Sequence, residues 1–248
     1  MFVKSTNSTN TLLKELLAKG EWPEGERFLR AGFQTAGRGQ AGNGWESEEG
    51  KNLLCSILIP PRKNLFELNV LTSVAVHRLL TRSVFCQRSG ITIKWPNDIY
   101  WGDRKVAGIL IENAMIGNEL TYSIAGIGLN VNQTEWKSDA PNPVSLKQIT
   151  GETYDLDSLM QQLYEQVQKA QEEDVWDYYK AHLYRREGYW PFVEREVSTA
   201  PTMNANANAN ANAFMARIKD VLPTGEILLE DQEGKERKYH FKQIRYIV

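Results

Sequence analysis

Apolar positions along the chain change period several times, and each change predicts an element. Leu12, Leu13, Leu16 and Leu17 fall at helical spacing behind Ser8 or Asn10, either of which can cap the helix, and Gly20 ends it. Residues 27–33 read as a strand. Residues 52–59 are mostly apolar, lie between Lys51 and Pro60, and predict a buried strand. Between 65 and 80, Leu68, Leu71, Val74, Ala75 and Leu79 fall on or near one helical face. His77 lies in that helix as a structural or surface residue rather than a ligand. Residues 91–94 form a short strand that Pro96 must end. Residues 101–103 are turn-like, and 105–115 with 119–127 predict a hairpin about 116–118.

Strands joined by tight turns, with helices elsewhere, predict an α+β fold: a mixed, largely antiparallel sheet with helices packed on it. Residues 156–184 predict one long acidic helix carrying Trp176, Tyr178 and Tyr179, aromatics that suit packing on the sheet. From about Trp190 the texture becomes short strands at 214–221, 225–229 and 238–246, with turns at Pro223-Thr224-Gly225 and Glu233-Gly234. Some sixty residues of this kind make a small barrel, so the division expected is 1–188 and 189–248. Inside the second part, residues 204–213 are five Asn-Ala pairs in a row. Neither residue favours a strand. The stretch reads as a mobile loop and is assigned no function.

Composition narrows the classes. A chain of 248 residues can bury one large core and a small one, and 42% apolar content is that of a folded globule. No apolar run approaches bilayer length, and the first residues lack a secretory pattern. Lys and Arg number 29 against 31 Asp and Glu, a net charge of −2 with no basic block. That balance argues against nucleic acid as the main partner. Cys55 and Cys86 make neither a disulfide framework nor a metal knuckle, so both are expected as buried or half-buried thiols and the location as cytoplasmic.

The candidate chemistry sits in two dense stretches. Residues 37–45 read Gly37-Arg38-Gly39-Gln40-Ala41-Gly42-Asn43-Gly44-Trp45, four glycines in eight positions. Ordering glycine costs backbone entropy, so such a loop is useful where backbone N–H groups must wrap an anion. Arg38 adds a planar, always-charged fork suited to carboxylate or phosphate. The loop matches neither the GxxxxGK[ST] phosphate loop nor a GxGxxG turn. The second stretch is Lys94-Trp95-Pro96-Asn97-Asp98, followed by Arg104-Lys105-Val106-Ala107-Gly108-Ile109-Leu110.

In this order the blocks resemble the biotin protein ligases, which activate biotin with ATP and attach it to a lysine of a carrier domain. The loop from Gly37 to Trp45, the Lys94 to Asp98 stretch and the strand from Arg104 all match that family. Ser8-Thr9-Asn10 and Gly126-Ile127-Gly128-Leu129-Asn130 agree too, so the resemblance runs from about residue 5 to the C-terminus. It implies an SH3-like barrel for the C-terminal part. Because Ser8-Thr9-Asn10 comes so early, it is the ligase-only form that is resembled, without a winged-helix DNA-binding domain.

Residue roles follow from the resemblance. A carboxylate acylates an amine only after conversion to a good leaving group, so two anions must meet among positive charges. Lys105 and Arg38 match the suppliers of that charge, with Lys105 on the biotin carboxylate and acyl-phosphate. Asn97 and Asp98 are oxygen donors of the kind Mg2+ takes; Asp98 is equally suited to holding the incoming lysine. Ser8, Thr9 and Gln34 match the positions that meet the ureido group. Gly37, Gly108 and Gly126 match the biotin floor, while Gln40, Trp45, Asn97 and Asn130 join Arg38 and Lys105 on the nucleotide side, Trp45 over the adenine. Many family members carry basic residues where this chain has Gln40 and Asn43, so this loop is less positive. The expected partners are biotin, ATP and a biotin carboxyl carrier protein domain, with no nucleic acid or membrane and a monomer or weak homodimer. The alternatives are a lipoate or octanoate ligase of the same fold, or a non-catalytic biotin-binding regulator.

Overall fold

The computed structural model describes residues 1–62, 64–82, 90–116, 119–138, 142–195 and 213–247. The chain divides into two compact units, Met1–Tyr179 and Lys180–Val248.

The first unit is built on a seven-stranded sheet. Its strands are β1 (Phe2–Thr6), β2 (Phe28–Gln34), β3 (Leu53–Ile59), β4 (Ile91–Lys94), β5 (Asp98–Trp101), β6 (Arg104–Ile116) and β7 (Glu119–Leu129). They lie in the order β1-β2-β3-β7-β6-β5-β4, all antiparallel except for the parallel pair β1 and β2. The helices are α1 (Thr9–Lys19), α2 (Leu65–Thr81), α3 (Leu146–Thr150), α4 (Leu156–Glu172) and α5 (Trp176–Ala181). The expected α+β class with a largely antiparallel sheet is therefore observed.

Side chains alternate across a strand, so each strand feeds two faces. One face carries Ile57, Cys55, Ala125, Ile127 and Ile109, all buried. Helices α2 and α4 pack on each other and on the sheet. On the other face Leu13 of α1 meets Leu29 and Ile124 in a second apolar cluster, flanked by Leu58 and Tyr122. Further along that face the strands carry Ser56, Gly126, Gly128 and Gly108 instead of large side chains, and the registers Gly126↔Ser56 and Gly108↔Gly128 set them side by side.

Helix α1 has Ser8 at its N-cap, in extended backbone, and Gly20 at its C-cap in the left-handed region. The expected long helix over 156–184 is instead two. Glu173 turns extended after α4, and Asp174 Oδ1 accepts from the Trp176 amide, starting α5 afresh. Its aromatics pack against α2: Tyr179 is fully buried against Phe66 and Trp176, and the half-buried Tyr178 meets His77 edge-on. His77 is buried, with Nδ1 against Tyr178 Oη and Nε2 against the Ile91 carbonyl, a structural histidine. Cys55 is buried and its thiol is pushed up to about 12 by burial, which Arg30 only partly offsets. Cys86 lies outside the described residues.

The second unit holds a five-stranded antiparallel sheet of β8 (Trp190–Glu194), β9 (Ala213–Val221), β10 (Ile227–Asp231), β11 (Glu236–Tyr239) and β12 (Ile244–Tyr246), ordered β11-β10-β9-β8-β12. The strand expected over 238–246 is split by a turn in which Lys242 adopts φ 78°. Of the Asn-Ala repeat only Ala213 is described, as the first residue of β9; residues 204–212 lie outside.

Candidate active site

The two motif stretches meet on the glycine-bearing face of the seven-stranded sheet. Residues 37–45 fold back on themselves: Trp45 donates its amide to the Gly37 carbonyl at 2.9 Å, Gly39 to that of Asn43 at 2.7 Å, and Arg38 bridges Gly44. A Cβ at Gly37 would stand 2.5 Å from the Trp45 carbonyl oxygen, so this turn requires glycine. Beyond the loop, Glu46 accepts from the amides of Lys137 and Ser138 at 2.7 and 2.8 Å, tying it to the segment after β7.

Trp45 lies on the floor that Gly108 and Gly128 leave open. A Cβ on Gly128 would meet its Cε2 at 2.4 Å, and one on Gly108 its Cζ3 at 2.9 Å. The Lys105 ammonium stands 5.5 Å from the centre of the same ring and pairs with Asp98 Oδ1 at 2.7 Å. Lys105 is aimed from both sides of its backbone: its amide donates to the Asn142 carbonyl and its carbonyl accepts from Val144, each at 2.9 Å. A fixed backbone with a half-buried ion pair is what a lysine needs to present charge at one point. The expectation of nucleotide stacking for Trp45 therefore meets an indole that lies on the glycine floor beside Lys105.

Ser8, Thr9 and Gln34 come together at the start of α1. Gln34 Oε1 accepts from the Thr9 amide at 2.7 Å and from Thr9 Oγ1 at 3.1 Å. This fixes the amide so that its Nε2 points at Gly37, 3.2 Å from where a Cβ would sit. Ser8 is buried and takes the Asn7 side chain on its amide at 2.6 Å. The space over Gly126 is filled by Asn10, whose Oδ1 would touch a Cβ there at 2.5 Å.

Asn97 and Asp98 divide the work. The Asn97 side-chain nitrogen donates to the Ile109 carbonyl, and the Ile109 amide returns a bond to the Asn97 carbonyl at 3.0 Å, so Asn97 locks β5 to β6. Asp98 is turned to Lys105. Asn130 is buried; its Nδ2 reaches the carbonyls of Lys105 and Val144, both at 3.3 Å, while its Oδ1 has no hydrogen-bond partner among the described residues. Gln40 Oε1 and Trp45 Nε1 are also buried without partners there. Buried side-chain atoms of this kind also occur away from this face, at Asn69 and Thr72 for example, so at these three positions the arrangement suits a ligand or water without requiring one. No group of three or more His, Cys, Asp or Glu capable of caging a metal occurs among the described residues.

Two residues of the site were not foreseen as such. Asn10 bonds Ser56 Oγ at 2.5 Å, and Glu112 gathers Asn10, Lys14 and Arg38. Asn10 was visible only as the third letter of its block; nothing in local sequence marks Glu112. A cavity of about 390 Å³ lined by Glu194, Arg195, Lys238, Tyr239 and Gln243 lies in the second unit and contains none of the motif residues.

Comparison with known proteins bears on this geometry. The chain is 30% identical to the bifunctional ligase/repressor BirA of Bacillus spizizenii over 90% of its length and 67% of that protein's. It is 32% identical to the biotin–[acetyl-CoA-carboxylase] ligase of Mycobacterium tuberculosis over 58% of its length and 53% of the relative's. The chain thus spans between half and two thirds of these curated relatives. Its fold is that of biotin protein ligase from Aquifex aeolicus, solved with biotin and ATP, at a TM-score of 0.75 and 22% identity, covering 100% of this chain and 98% of that one. Residues 2–130, which carry both motif stretches and the glycine floor, match the model of the biotin/lipoate A/B protein ligase family, and the chain belongs to that family.

Proposed function

We propose that the chain activates biotin with ATP and transfers it to a lysine of a biotin carboxyl carrier protein domain. The observation that carries this reading is the convergence of the glycine loop, Lys105 and Asp98 on the Gly108–Gly128 floor. In the first step a biotin carboxylate oxygen attacks the α-phosphorus of ATP, the bond to pyrophosphate breaks, and biotinyl-5′-AMP forms. In the second a neutral lysine amine attacks the acyl carbon, loses its proton, and AMP leaves.

Each residue has work in that scheme. Lys105 exchanges its Asp98 partner for the biotin carboxylate and then stabilises the charge developing on phosphate, with Arg38 as the second cation. Gln34 and Thr9, already bonded to each other, meet the ureido end with Ser8. Gly37, Gly108 and Gly126 let the bicyclic ring and tail come close to backbone. The buried Oδ1 of Asn130 and the Gln40 side chain suit donors on the nucleotide, with Trp45 as an apolar wall. Mg2+, when bound, would neutralise phosphate charge. One or two protein oxygens with phosphate and water are its usual shell, and Asp98 with the Asn97 oxygen fits that partial set. Once Lys105 has turned to biotin, the Asp98 carboxylate is released for this ion or for orienting the incoming amine.

The charge balance of −2 with no basic block favours a ligase over a DNA-bound regulator, and no described helix is long and apolar enough to cross a membrane. The test is calorimetry with biotin followed by ATP, alongside pyrophosphate release with biotin, lipoate or octanoate as acid. Release with biotin alone supports the reading. Release with lipoate or octanoate in its place makes the chain a ligase for that acid. Biotin binding without release makes it a non-catalytic binder, and a gel shift with biotin would then identify a regulator.

A further inference from the structure

One carboxylate joins three segments of the first unit. Glu112 Oε2 accepts from Asn10 Nδ2 at 2.7 Å and from Arg38 Nη2 at 2.9 Å, while Oε1 accepts from Lys14 Nζ at 3.0 Å. Asn10 and Lys14 lie one turn apart on α1, Arg38 in the glycine loop, and Glu112 on β6. The α1 side of this node is rigid. Asn10 is 2% exposed, bonds Ser56 and the Leu110 carbonyl, and rests on Gly126. The loop side is not: the Arg38 side chain is 44% exposed against 17% for Glu112. A fixed acceptor therefore holds a long donor whose side chain makes no other hydrogen bond among the described residues.

We propose that Glu112 is the positioning residue of the glycine loop, holding Arg38 at the rim of the glycine floor before any anion arrives. A guanidinium offers five N–H groups in one plane. The structure uses one of them on Glu112, so the rest can take a phosphate or carboxylate without the side chain first being ordered, which is where affinity is otherwise lost. Burial would raise the Glu112 carboxyl, but the hydrogen bonds from Asn10 and Lys14 and the charges of Lys14 and Arg38 outweigh it and hold it below the usual carboxylate range. Because the same carboxylate seats Asn10 over Gly126, it links the loop to the floor expected to meet biotin. The structural part of this inference stands on the contacts; its kinetic part rests on the ligase reading.

The experiment uses the whole chain and four variants: Glu112→Gln, Arg38→Ala, their double mutant and Lys14→Ala. Hydrogen exchange is followed without ligand at the amides of Gly39 and Trp45. Glu112→Gln and Arg38→Ala should each speed exchange by about three- to tenfold, with the double mutant no faster than either, because partners in one contact are non-additive. Lys14→Ala, which removes the other charged partner of the carboxylate, should leave loop exchange unchanged. In steady state, Glu112→Gln should raise the KM for ATP by about fivefold with kcat within about twofold, and this change should vanish in the Arg38→Ala background. Additive effects, or unchanged exchange in Glu112→Gln, overturn the proposal even where the wild type makes pyrophosphate. The exchange pattern without pyrophosphate release would sink the ligase reading and leave the role of Glu112 standing. Should Glu112→Gln not fold, faster exchange in Arg38→Ala alone supports the proposal, and equal effects of Arg38→Ala and Lys14→Ala overturn it.

Discussion

The two faces of the seven-stranded sheet are made by the same strands and differ in almost every physical respect. On β7, Ala125, Ile127 and Leu129 point one way and are at most 3% exposed, while Gly126 and Gly128 point the other way. The first face is closed by large side chains and holds the fold. Away from its Leu13–Leu29–Ile124 cluster, the second gives up that apolar burial for two patches of bare backbone, one under Asn10 and one under Trp45. Period-two alternation thus lets stability and chemistry occupy one strand without competing for the same positions.

The comparison breaks if substitutions on the two faces act alike. The largest effect on stability is expected from Ile127→Ala, which leaves a cavity on the closed face. Such truncations cost about 2–5 kcal/mol. Thermal or urea denaturation should show that loss, while kcat/KM of the folded fraction stays within about threefold. A comparable fall in activity per folded molecule would mean that the faces are not separable.

Lys105→Ala is the counterpart on the open face. Removing one charge-assisted contact to a developing oxyanion costs about 2–4 kcal/mol of barrier, or 10²–10³ in rate. The denaturation midpoint should hardly move, because the ion pair with Asp98 is part-exposed, its side chains 30% and 23% accessible. Biotin-dependent pyrophosphate release within threefold of the wild type would remove Lys105 from the site.

The closed face was legible in sequence because it is periodic. Leu68, Leu71 and Val74 repeat at helical spacing and all are buried, and the hairpin of β6 and β7 follows directly from its two apolar runs. Local capping was only partly read. The Ser145–Gln148 capping box that starts α3 has the expected three-residue spacing, and Asp174 as the start of α5 is the same kind of signal inside an otherwise continuous helical pattern. Strand β1 has no apolar alternation to announce it, being an exposed edge that pairs in parallel with β2. On the open face the motifs supplied the candidate residues, and the structure brings Gly37, Lys105 and Gly128 of those blocks together around Trp45. Their partners were not legible. Glu112 lies 74 residues from Arg38 and 102 from Asn10, and only the folded register of the strands brings them together.

Gly128→Ala asks whether the open floor is needed. The added Cβ would lie 2.4 Å from the Trp45 ring, so the loop must move. Without its glycine the strand itself should be unchanged or firmer by up to about 1 kcal/mol, since alanine restricts the unfolded chain. The KM for biotin should rise by about tenfold, an order set by the 1–3 kcal/mol that a methylene-sized misfit costs in a pocket. A melting point that falls by many degrees, with KM unchanged, would show that Gly128 serves packing instead.

The smallest effect is expected from Trp45→Ala, and its sign carries the information. In the structure the indole covers the Gly108–Gly128 floor and faces the Lys105 ammonium, a cation–π contact worth about 0.5–1 kcal/mol at a part-exposed site. Biotin that binds against that floor must first shift the ring. The variant should therefore bind biotin alone with affinity equal to the wild type or up to about fivefold tighter, the amount that contact energy allows. Nucleotide is different. If the displaced indole becomes a wall against adenine, the same variant should bind ATP more weakly in the presence of biotin, by a similar factor. Isothermal titration with biotin, then with a non-hydrolysable ATP analogue, separates the two steps. Weaker binding of biotin alone would mean that Trp45 supports the acid directly and does not merely cover its place.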